Sequence, residues 1–279
     1  MSKDNKNNNT FSLTDSELKQ FRDQGWIGPF KLLSESEAAQ LVPELERCHA
    51  KTRGMFYPEK IEPGKSYYKN TPWFQSLHAL SPTISEIAQR PEIVDRVAQL
   101  MGDDLLLWGA IKFSQAANKG YHWHTDTEFD FADGISIWLA VEGVTPDNAL
   151  KIIPRSDNFK PMPEEYIVSG KYSMEDFSSD KLALSLARES DPGANIVRPP
   201  VRDGEFFIFR GKLWHGSDNN TDKTRHAMGL RYSSTSQSLR IPLTYLHPMQ
   251  WDPALPPCVL VRGKDDYGNN NIIEMPKVK

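Results

Sequence analysis

Cysteine is scarce in this chain. Among 279 residues, only Cys48 and Cys258 are present, and two cysteines are too few for a disulfide framework or a four-cysteine zinc site. Any metal ion must therefore be bound by histidine and carboxylate side chains. The seven histidines are the first residues to inspect.

Long apolar runs and an excess of positive charge are also missing. No segment approaches the roughly 18 consecutive apolar residues of a membrane-spanning helix, and the polar start MSKDNKNNNT lacks the apolar core of a signal peptide. The formal net charge is −4, with no run of basic residues that would follow a phosphate backbone. We therefore expect a cytoplasmic protein that acts on a small molecule and has no nucleic-acid or membrane partner. The sequence does not define an oligomeric state.

The domain organisation is simple. Residues 1–10 contain a single large apolar group and are expected to form a disordered tail. With 38% hydrophobic and 25% charged residues, the chain has the composition of a soluble protein, and 11–279 are expected to form one domain. Residues 157–194 are rich in Ser, Asp, Met and Pro and are too long for a plain turn. We predict a lid or an insertion there.

Helical signals come first in the chain and strand signals follow. Thr14 with Glu17, and Ser34 with Glu37, are capping-box patterns that begin helices. Short strand-like runs without long helices between them favour a mainly β fold with flanking helices, in the form of an antiparallel double-sheet barrel. The predicted elements are helices over 14–24, from 34 onward and over 92–100, and strands over 105–114, 120–126, 134–142, 149–154, 195–199, 205–210, 226–234 and 243–247.

A His-x-Asp motif ends one predicted strand, in the segment YHWHTD at 121–126. Alternate side chains of a strand lie on the same face, about 6.6 Å apart along it. His124 and Asp126 can therefore bind one ion, although this spacing alone is a weak signal. His122 has the same parity, but a fourth protein ligand would occupy a position that oxygen or a co-substrate needs.

A second signal comes much later, where His215 follows the buried-strand run FFIF and a turn. Two histidines and one carboxylate leave open positions on iron(II) for oxygen and a co-substrate. Zinc tolerates similar ligands, but it prefers four-coordinate geometry and does no redox chemistry. In the next predicted strand, the planar guanidinium of Arg225 is suited to a carboxylate, although a plain surface arginine is the simpler reading of this residue alone.

These segments resemble the phytanoyl-CoA dioxygenase family of iron(II)- and 2-oxoglutarate-dependent oxygenases. The likeness covers most of the chain, and the spacing GYHWHTD at 120–126 is also similar to the ectoine hydroxylase branch. The similar segments are WHTD at 123–126, IWLAV at 137–141, NALKIIPRS at 148–156, the closing run from 209 to 217, Arg225 and LRY at 230–232.

The resemblance implies a double-stranded β-helix, that is, a cupin-like jelly-roll core. It also implies an enzyme that uses O2 and 2-oxoglutarate, hydroxylates its substrate and releases succinate and CO2. The implied Fe(II) ligands are His124, Asp126 and His215. Arg225 would bind the distal carboxylate of 2-oxoglutarate with help from Ser217, and Trp138 would line the co-substrate pocket.

The resemblance says less about the substrate. This chain departs from the family pattern in the turn after the central strand, at Ala149, Arg155 and Asp157. We expect these departures to affect the shape of the loop and its contact with the substrate, and not the metal site. Lys112 and Phe129 are candidate substrate residues. The negative net charge favours a small polar metabolite or a natural-product intermediate, such as an alkaloid, over a coenzyme A thioester with its several phosphates.

Asp126 bears on the type of reaction, because related halogenases have a small residue at this position that leaves room for chloride. The carboxylate therefore favours hydroxylation. Two other functions fit the residue pattern: a metal-dependent hydrolase or isomerase on a related barrel, and a non-catalytic metal-binding sensor. A dependence of oxygen consumption on 2-oxoglutarate would distinguish the oxygenase from both.

Overall fold

The computed structural model describes residues 11–52, 76–126, 133–242, 251–252 and 255–277. The candidate substrate residue Phe129, the strand predicted over 243–247 and the tail 1–10 lie outside these ranges. The helices are α1 (Asp15–Gln24), α2 (Glu35–Ala39), α3 (Val42–Thr52), α4 (Pro82–Ala88), α5 (Pro91–Met101), α6 (Pro163–Val168) and α7 (Asp180–Ser190). The strands are β1 (Trp26–Lys31), β2 (Leu105–Gln115), β3 (Lys119–His124), β4 (Gly134–Glu142), β5 (Lys151–Ile152), β6 (Glu205–Arg210), β7 (His215–Asn219), β8 (Arg225–Ser234), β9 (Ile241–Pro242), β10 (Trp251–Asp252), β11 (Pro257–Arg262) and β12 (Asn271–Ile272).

The first helices begin at the predicted caps. Both bonds of the Thr14–Glu17 capping box are formed, and α1 ends at Gly25, which adopts the left-handed conformation. The helix predicted from residue 34 is instead two helices, α2 and α3. The reason is Pro43, which has no N–H for a helix that continues from α2 but is tolerated in the first turn of a new helix.

Seven strands form the major sheet, in the order β1-β6-β4-β8-β2-β11-β12. One face of this sheet packs against α1 to α5, because alternate residues of β8 such as Leu230 and Tyr232 share a core with Ile93 and Val97 of α5. The intervening residues of β8 face the other way. Ala227, for example, packs with Trp138 and Phe207 in a second core.

Three strands form the minor sheet, in the order β3-β7-β5. The second core joins the two sheets, since it includes Ile152 of β5 beside Phe207 and Phe209 of β6. The fold is therefore a jelly roll with flanking helices, as predicted. The predicted barrel is not closed: among the described strands, the major and minor sheets remain separate sheets.

Several predicted strands need correction. The segment 195–199 makes only an isolated bridge, between Val197 and Ile152, and the strand predicted over 149–154 is reduced to β5. Six described strands were not predicted: β1, β7, β9, β10, β11 and β12. The composition of two of them is atypical of strands. β7 reads HGSDN and is mostly polar, while β1 contains a glycine and a proline.

Residues 157–194, called the insertion below, contain α6 and α7. Their apolar side chains form a separate core with Trp123 of β3 and Trp214, including Phe159, Tyr166, Phe177 and Leu186. Both tryptophans immediately precede a histidine singled out from the sequence. The insertion therefore packs against the residues next to His124 and His215.

Candidate metal centre and carboxylate pocket

His124, Asp126 and His215 meet in one buried cluster. His124 and His215 are directly paired across β3 and β7, and Nε2 of His215 lies 3.7 Å from Oδ1 of Asp126. One nitrogen or oxygen from each of the three side chains falls within 4.8 Å of the others. This is the grouping that the sequence predicts, and it is compact enough for one metal ion.

Backbone carbonyls orient both imidazoles. Nδ1 of His124 is 2.9 Å from the carbonyl oxygen of His122, and Nδ1 of His215 is 2.7 Å from that of Leu213. Each Nδ1–H therefore donates to a carbonyl, and each Nε2 keeps its lone pair for a metal. Burial lowers the pKa of both histidines, which favours the neutral form that binds metals. Two neutral imidazoles and one carboxylate fit an Fe(II) centre with open positions.

Asp126 has two partners that the sequence reasoning missed. Its Oδ1 accepts a hydrogen bond from Nη2 of Arg231 at 2.6 Å, and its Oδ2 accepts one from Oγ of Ser136 at 3.0 Å. All three residues are buried. The only available signal was the parity of Arg231 on β8, where it lies on the same face as Arg225.

A pocket of about 900 Å³, its open mouth included, adjoins the cluster. It is lined by the three clustered side chains and by Gln115, Tyr121, Trp138, Ser217 and Arg225, among others. The structure therefore brings the predicted metal ligands and the predicted co-substrate residues to one pocket. None of the residues 157–194 lines it.

Arg225 has the features of a carboxylate-binding residue. Its Nη2 and Oγ of Ser217 both donate to Oε1 of Gln115, at 2.7 and 2.8 Å. Its guanidinium lies 5.3 Å from the ring centre of Trp138, and its buried Nε has no hydrogen-bond partner among the described residues. Burial lowers the pKa of Arg225 to about 10, so it stays charged at neutral pH. A buried cation with a spare donor suits an anionic ligand.

The other predicted residues lie further from this chemistry. Lys112 borders the pocket, but its Nζ donates to Oε2 of Glu46 on α3 at 2.6 Å. His122 does not line the pocket, although its ring centre lies 5.5 Å from that of His124. Tyr121 does line the pocket, and the register between β3 and β7 shifts between Tyr121 and His124, because a β-bulge breaks the alternation of faces.

The residues that depart from the family pattern make local contacts. Arg155 adopts a left-handed conformation and pairs with Asp191 at 2.7 Å. Asp157 accepts a hydrogen bond from Arg210 at 2.8 Å. Both pairs fix the loop between β5 and α6, and neither residue lines the pocket.

Comparison with known proteins assigns the class. Residues 21–227 match the family model for phytanoyl-CoA dioxygenase (PhyH). A relative named ectoine dioxygenase, from Bordetella bronchiseptica, is 22% identical over 254 residues, which cover 85% of this chain and 80% of the relative. The enzyme is a 2-oxoglutarate-dependent dioxygenase. The chain belongs to the phytanoyl-CoA dioxygenase family.

Solved structures share the fold. CytC3 with Fe(II) and alpha-ketoglutarate is 22% identical, with a TM-score of 0.65 and coverage of 94% of this chain and 93% of CytC3. EctD from S. alaskensis with 2-oxoglutarate and 5-hydroxyectoine is 19% identical, with a TM-score of 0.60 and coverage of 95% and 88%. The family and the donor set together define Fe(II), 2-oxoglutarate and O2 as its cofactor and co-substrates. Within the described part of the chain, no helix has the length and apolarity to span a membrane.

Proposed function

We propose that this dioxygenase hydroxylates a small polar metabolite, with His124, Asp126 and His215 as the Fe(II) ligands. Arg225 and Ser217 bind the distal carboxylate of 2-oxoglutarate, and Trp138 forms the wall beside it. The observation that carries the proposal is the arrangement of one pocket. It has two neutral imidazoles and a carboxylate in one part and a buried guanidinium with an unpaired Nε in another.

Each residue contributes a defined property. When bound, Fe(II) would supply the redox chemistry by which O2 oxidises 2-oxoglutarate to succinate and CO2 and a C–H bond of the substrate to C–OH, with one oxygen atom entering succinate and the other entering the product. The two histidines provide Nε2 lone pairs whose direction is fixed by backbone carbonyls. Arg225 provides a cation for the distal carboxylate, and the apolar wall at Trp138 strengthens this attraction because it excludes water.

The proposed substrate class is a small polar metabolite or a natural-product intermediate, including alkaloids. The relative named ectoine dioxygenase and the EctD structure with bound 5-hydroxyectoine support this class. Lys112 and Phe129 stay predictions for substrate contact. A direct role for Lys112 requires its ammonium to leave Glu46.

The proposed reaction is hydroxylation, not halogenation. Asp126 fills a coordination position with a negative charge, and it is held there by Arg231 and Ser136. Chloride would have to displace an anion that is already paired with a buried cation. Chlorinated product from the wild-type enzyme at high chloride would contradict the assignment of Asp126.

The test compares two histidine variants. His215→Ala removes a proposed ligand, whereas His226→Ala removes a histidine on β8 whose Nδ1 is 2.8 Å from Oγ of Ser114. We expect His215→Ala to lose most Fe(II) binding after anaerobic reconstitution and to stop 2-oxoglutarate-dependent O2 consumption. His226→Ala should keep both.

Substrate identity requires a separate screen. The purified enzyme with Fe(II), 2-oxoglutarate and ascorbate is incubated with metabolite extracts and analysed by mass spectrometry. A polar metabolite that gains one oxygen in the wild type, and not in His215→Ala, would support the proposal. Undiminished iron stoichiometry in folded His215→Ala would refute the ligand assignment.

A further inference from the structure

Two carboxylates of the insertion bind the residues on either side of His124. Nε1 of Trp123 donates to Oδ1 of Asp180 at 2.9 Å. The backbone N–H of Thr125 donates to Oε1 of Glu164 at 2.7 Å, and its hydroxyl donates to Oε2 of the same carboxylate at 3.0 Å. The insertion therefore contacts the strand end that presents the proposed metal ligands.

Glu164 has no solvent exposure, whereas the side chain of Asp180 is 44% exposed. A fully buried carboxylate is costly in free energy unless donors satisfy it. Two donors to Glu164 come from Thr125, which is itself buried. Loss of the carboxylate would in turn leave the buried N–H of Thr125 without this acceptor, and its hydroxyl with only the weak acceptor Sδ of Met162, at 3.9 Å.

Thr125 is the residue between His124 and Asp126. The next backbone N–H, that of Asp126, donates to the carbonyl oxygen of Gly211 at 2.9 Å. Two successive peptide groups after His124 are thus fixed by hydrogen bonds from outside β3. These two hydrogen bonds fix the orientation of the backbone at Asp126, and with it the direction in which the Asp126 side chain points.

We propose that Glu164 is a positioning residue for the metal centre, and that the insertion supports this centre from the side that does not line the pocket. Its carboxylate sets the backbone at Thr125 so that His124 and Asp126 point to one ion, which rests on the metal-binding role proposed above for these two residues. The insertion lines no part of the pocket, and its core contains Trp123 and Trp214. The contacts of the insertion are therefore those of a support for the metal centre and not those of a lid over the pocket.

The matched variants are Glu164→Gln and Glu165→Gln, two neighbouring residues of α6. Glu165 accepts a hydrogen bond from the backbone N–H of Met162, the N-cap residue of α6, so its replacement disturbs the start of α6 and keeps the carboxylate of Glu164 that binds Thr125. In Glu164→Gln, the amide NH2 faces one of the two donors of Thr125. Both variants are titrated anaerobically with Co(II), a spectroscopic substitute for Fe(II), and thermal unfolding of the metal-free proteins is measured in parallel.

We expect Glu164→Gln to bind Co(II) about 10- to 100-fold more weakly than wild type, the range for outer-shell partners of metal ligands. Its Co(II) absorption bands should change, because the ligand geometry changes. Glu165→Gln should keep wild-type affinity and spectrum. Wild-type affinity and spectrum in folded Glu164→Gln would overturn the proposal.

A second variant covers the case in which Glu164→Gln does not fold. Thr125→Val removes the hydroxyl donor and keeps the N–H bond to Glu164, so a several-fold loss of Co(II) affinity is expected. Unchanged affinity in Thr125→Val would then overturn the proposal. Failure of the metal-site assignment itself would show differently, as full metal binding in folded His215→Ala.

Discussion

Two arginines of β8 face the same pocket but have different partners. Arg225 is bonded to Gln115, whereas Arg231 is bonded to Asp126. We therefore expect Arg225→Leu to weaken 2-oxoglutarate binding by tenfold or more with little change in metal affinity. Arg231→Leu should mainly weaken metal binding, because Asp126 loses its buried cation. Co(II) titration, followed by 2-oxoglutarate titration of the Co(II) protein, separates the two effects.

Each arginine variant serves as the control for the other, because both remove a buried guanidinium from the same strand. A larger loss of 2-oxoglutarate affinity in Arg231→Leu than in Arg225→Leu would show that the co-substrate is anchored by Arg231. Equal losses of both affinities in the two variants would indicate a general disturbance of β8.

Local spacing and family resemblance predicted the candidate metal ligands and the candidate co-substrate residues, but not the side chains that hydrogen-bond to them. His124 and Asp126 are two residues apart at the end of β3, and this closeness is visible in the sequence. Gln115 reaches Arg225, and Ser136 lies opposite Arg231, only through strand pairing in the major sheet. Such register is set by long-range packing, which a local pattern does not encode.

At the scale of elements, the connection into β6 depends on a glycine. The carbonyl oxygen of Gly204 accepts hydrogen bonds from the N–H groups of Leu32 and Leu33. Gly204 has φ of +80°, and a Cβ there would lie 2.2 Å from the carbonyl oxygen of Leu33. We expect Gly204→Ala to lower the free energy of unfolding by about 3 kcal/mol or more, from backbone strain and overpacking combined. Denaturant unfolding of the metal-free protein measures the change.

Gly170→Ala is the matched control for strain alone. Gly170 has φ of +73°, and a Cβ there would have no atom within 4 Å. The expected cost is about 1 kcal/mol, from the left-handed backbone. If the free energy of unfolding fell equally in the two variants, the close approach of Gly204 to Leu33 would make no contribution to the loss of stability.

Elements were predicted best where a local signal and the tertiary contacts agree. The α1 cap at Thr14 and the apolar strands β4 and β6 are of this kind. β7 could not be found in this way. The polar side chains of β7 have two roles. His215 lines the pocket, and the side-chain amide of Asn219 donates hydrogen bonds to the carbonyl oxygens of Gln115 and Ala116.

For the whole molecule, ligand binding should raise stability. A ligand that binds only the folded state at 100 times its dissociation constant adds about 2.7 kcal/mol. We expect Co(II) with 2-oxoglutarate to raise the Tm of the wild type by several degrees, and Co(II) alone by less. Differential scanning fluorimetry under argon, over a series of ligand concentrations, measures both shifts.

The control for this stabilisation is His215→Ala under identical conditions. Because the variant lacks a proposed ligand, its Tm should hardly respond to Co(II). A shift as large as that of the wild type would mean that the metal stabilises the fold from somewhere else.

The pairing of His124 with His215 across β3 and β7 also has a consequence for the life of the newly made chain. The two residues are neighbours in the minor sheet, yet a long segment of sequence, with the insertion inside it, separates them. Contacts of this kind form late, because the entropy of closing the loop opposes them until enough of the remaining structure exists. With these residues as the proposed ligands, a chain in which β3 and β7 have not yet paired lacks the assembled iron site, so the oxidising centre forms only as folding is completed.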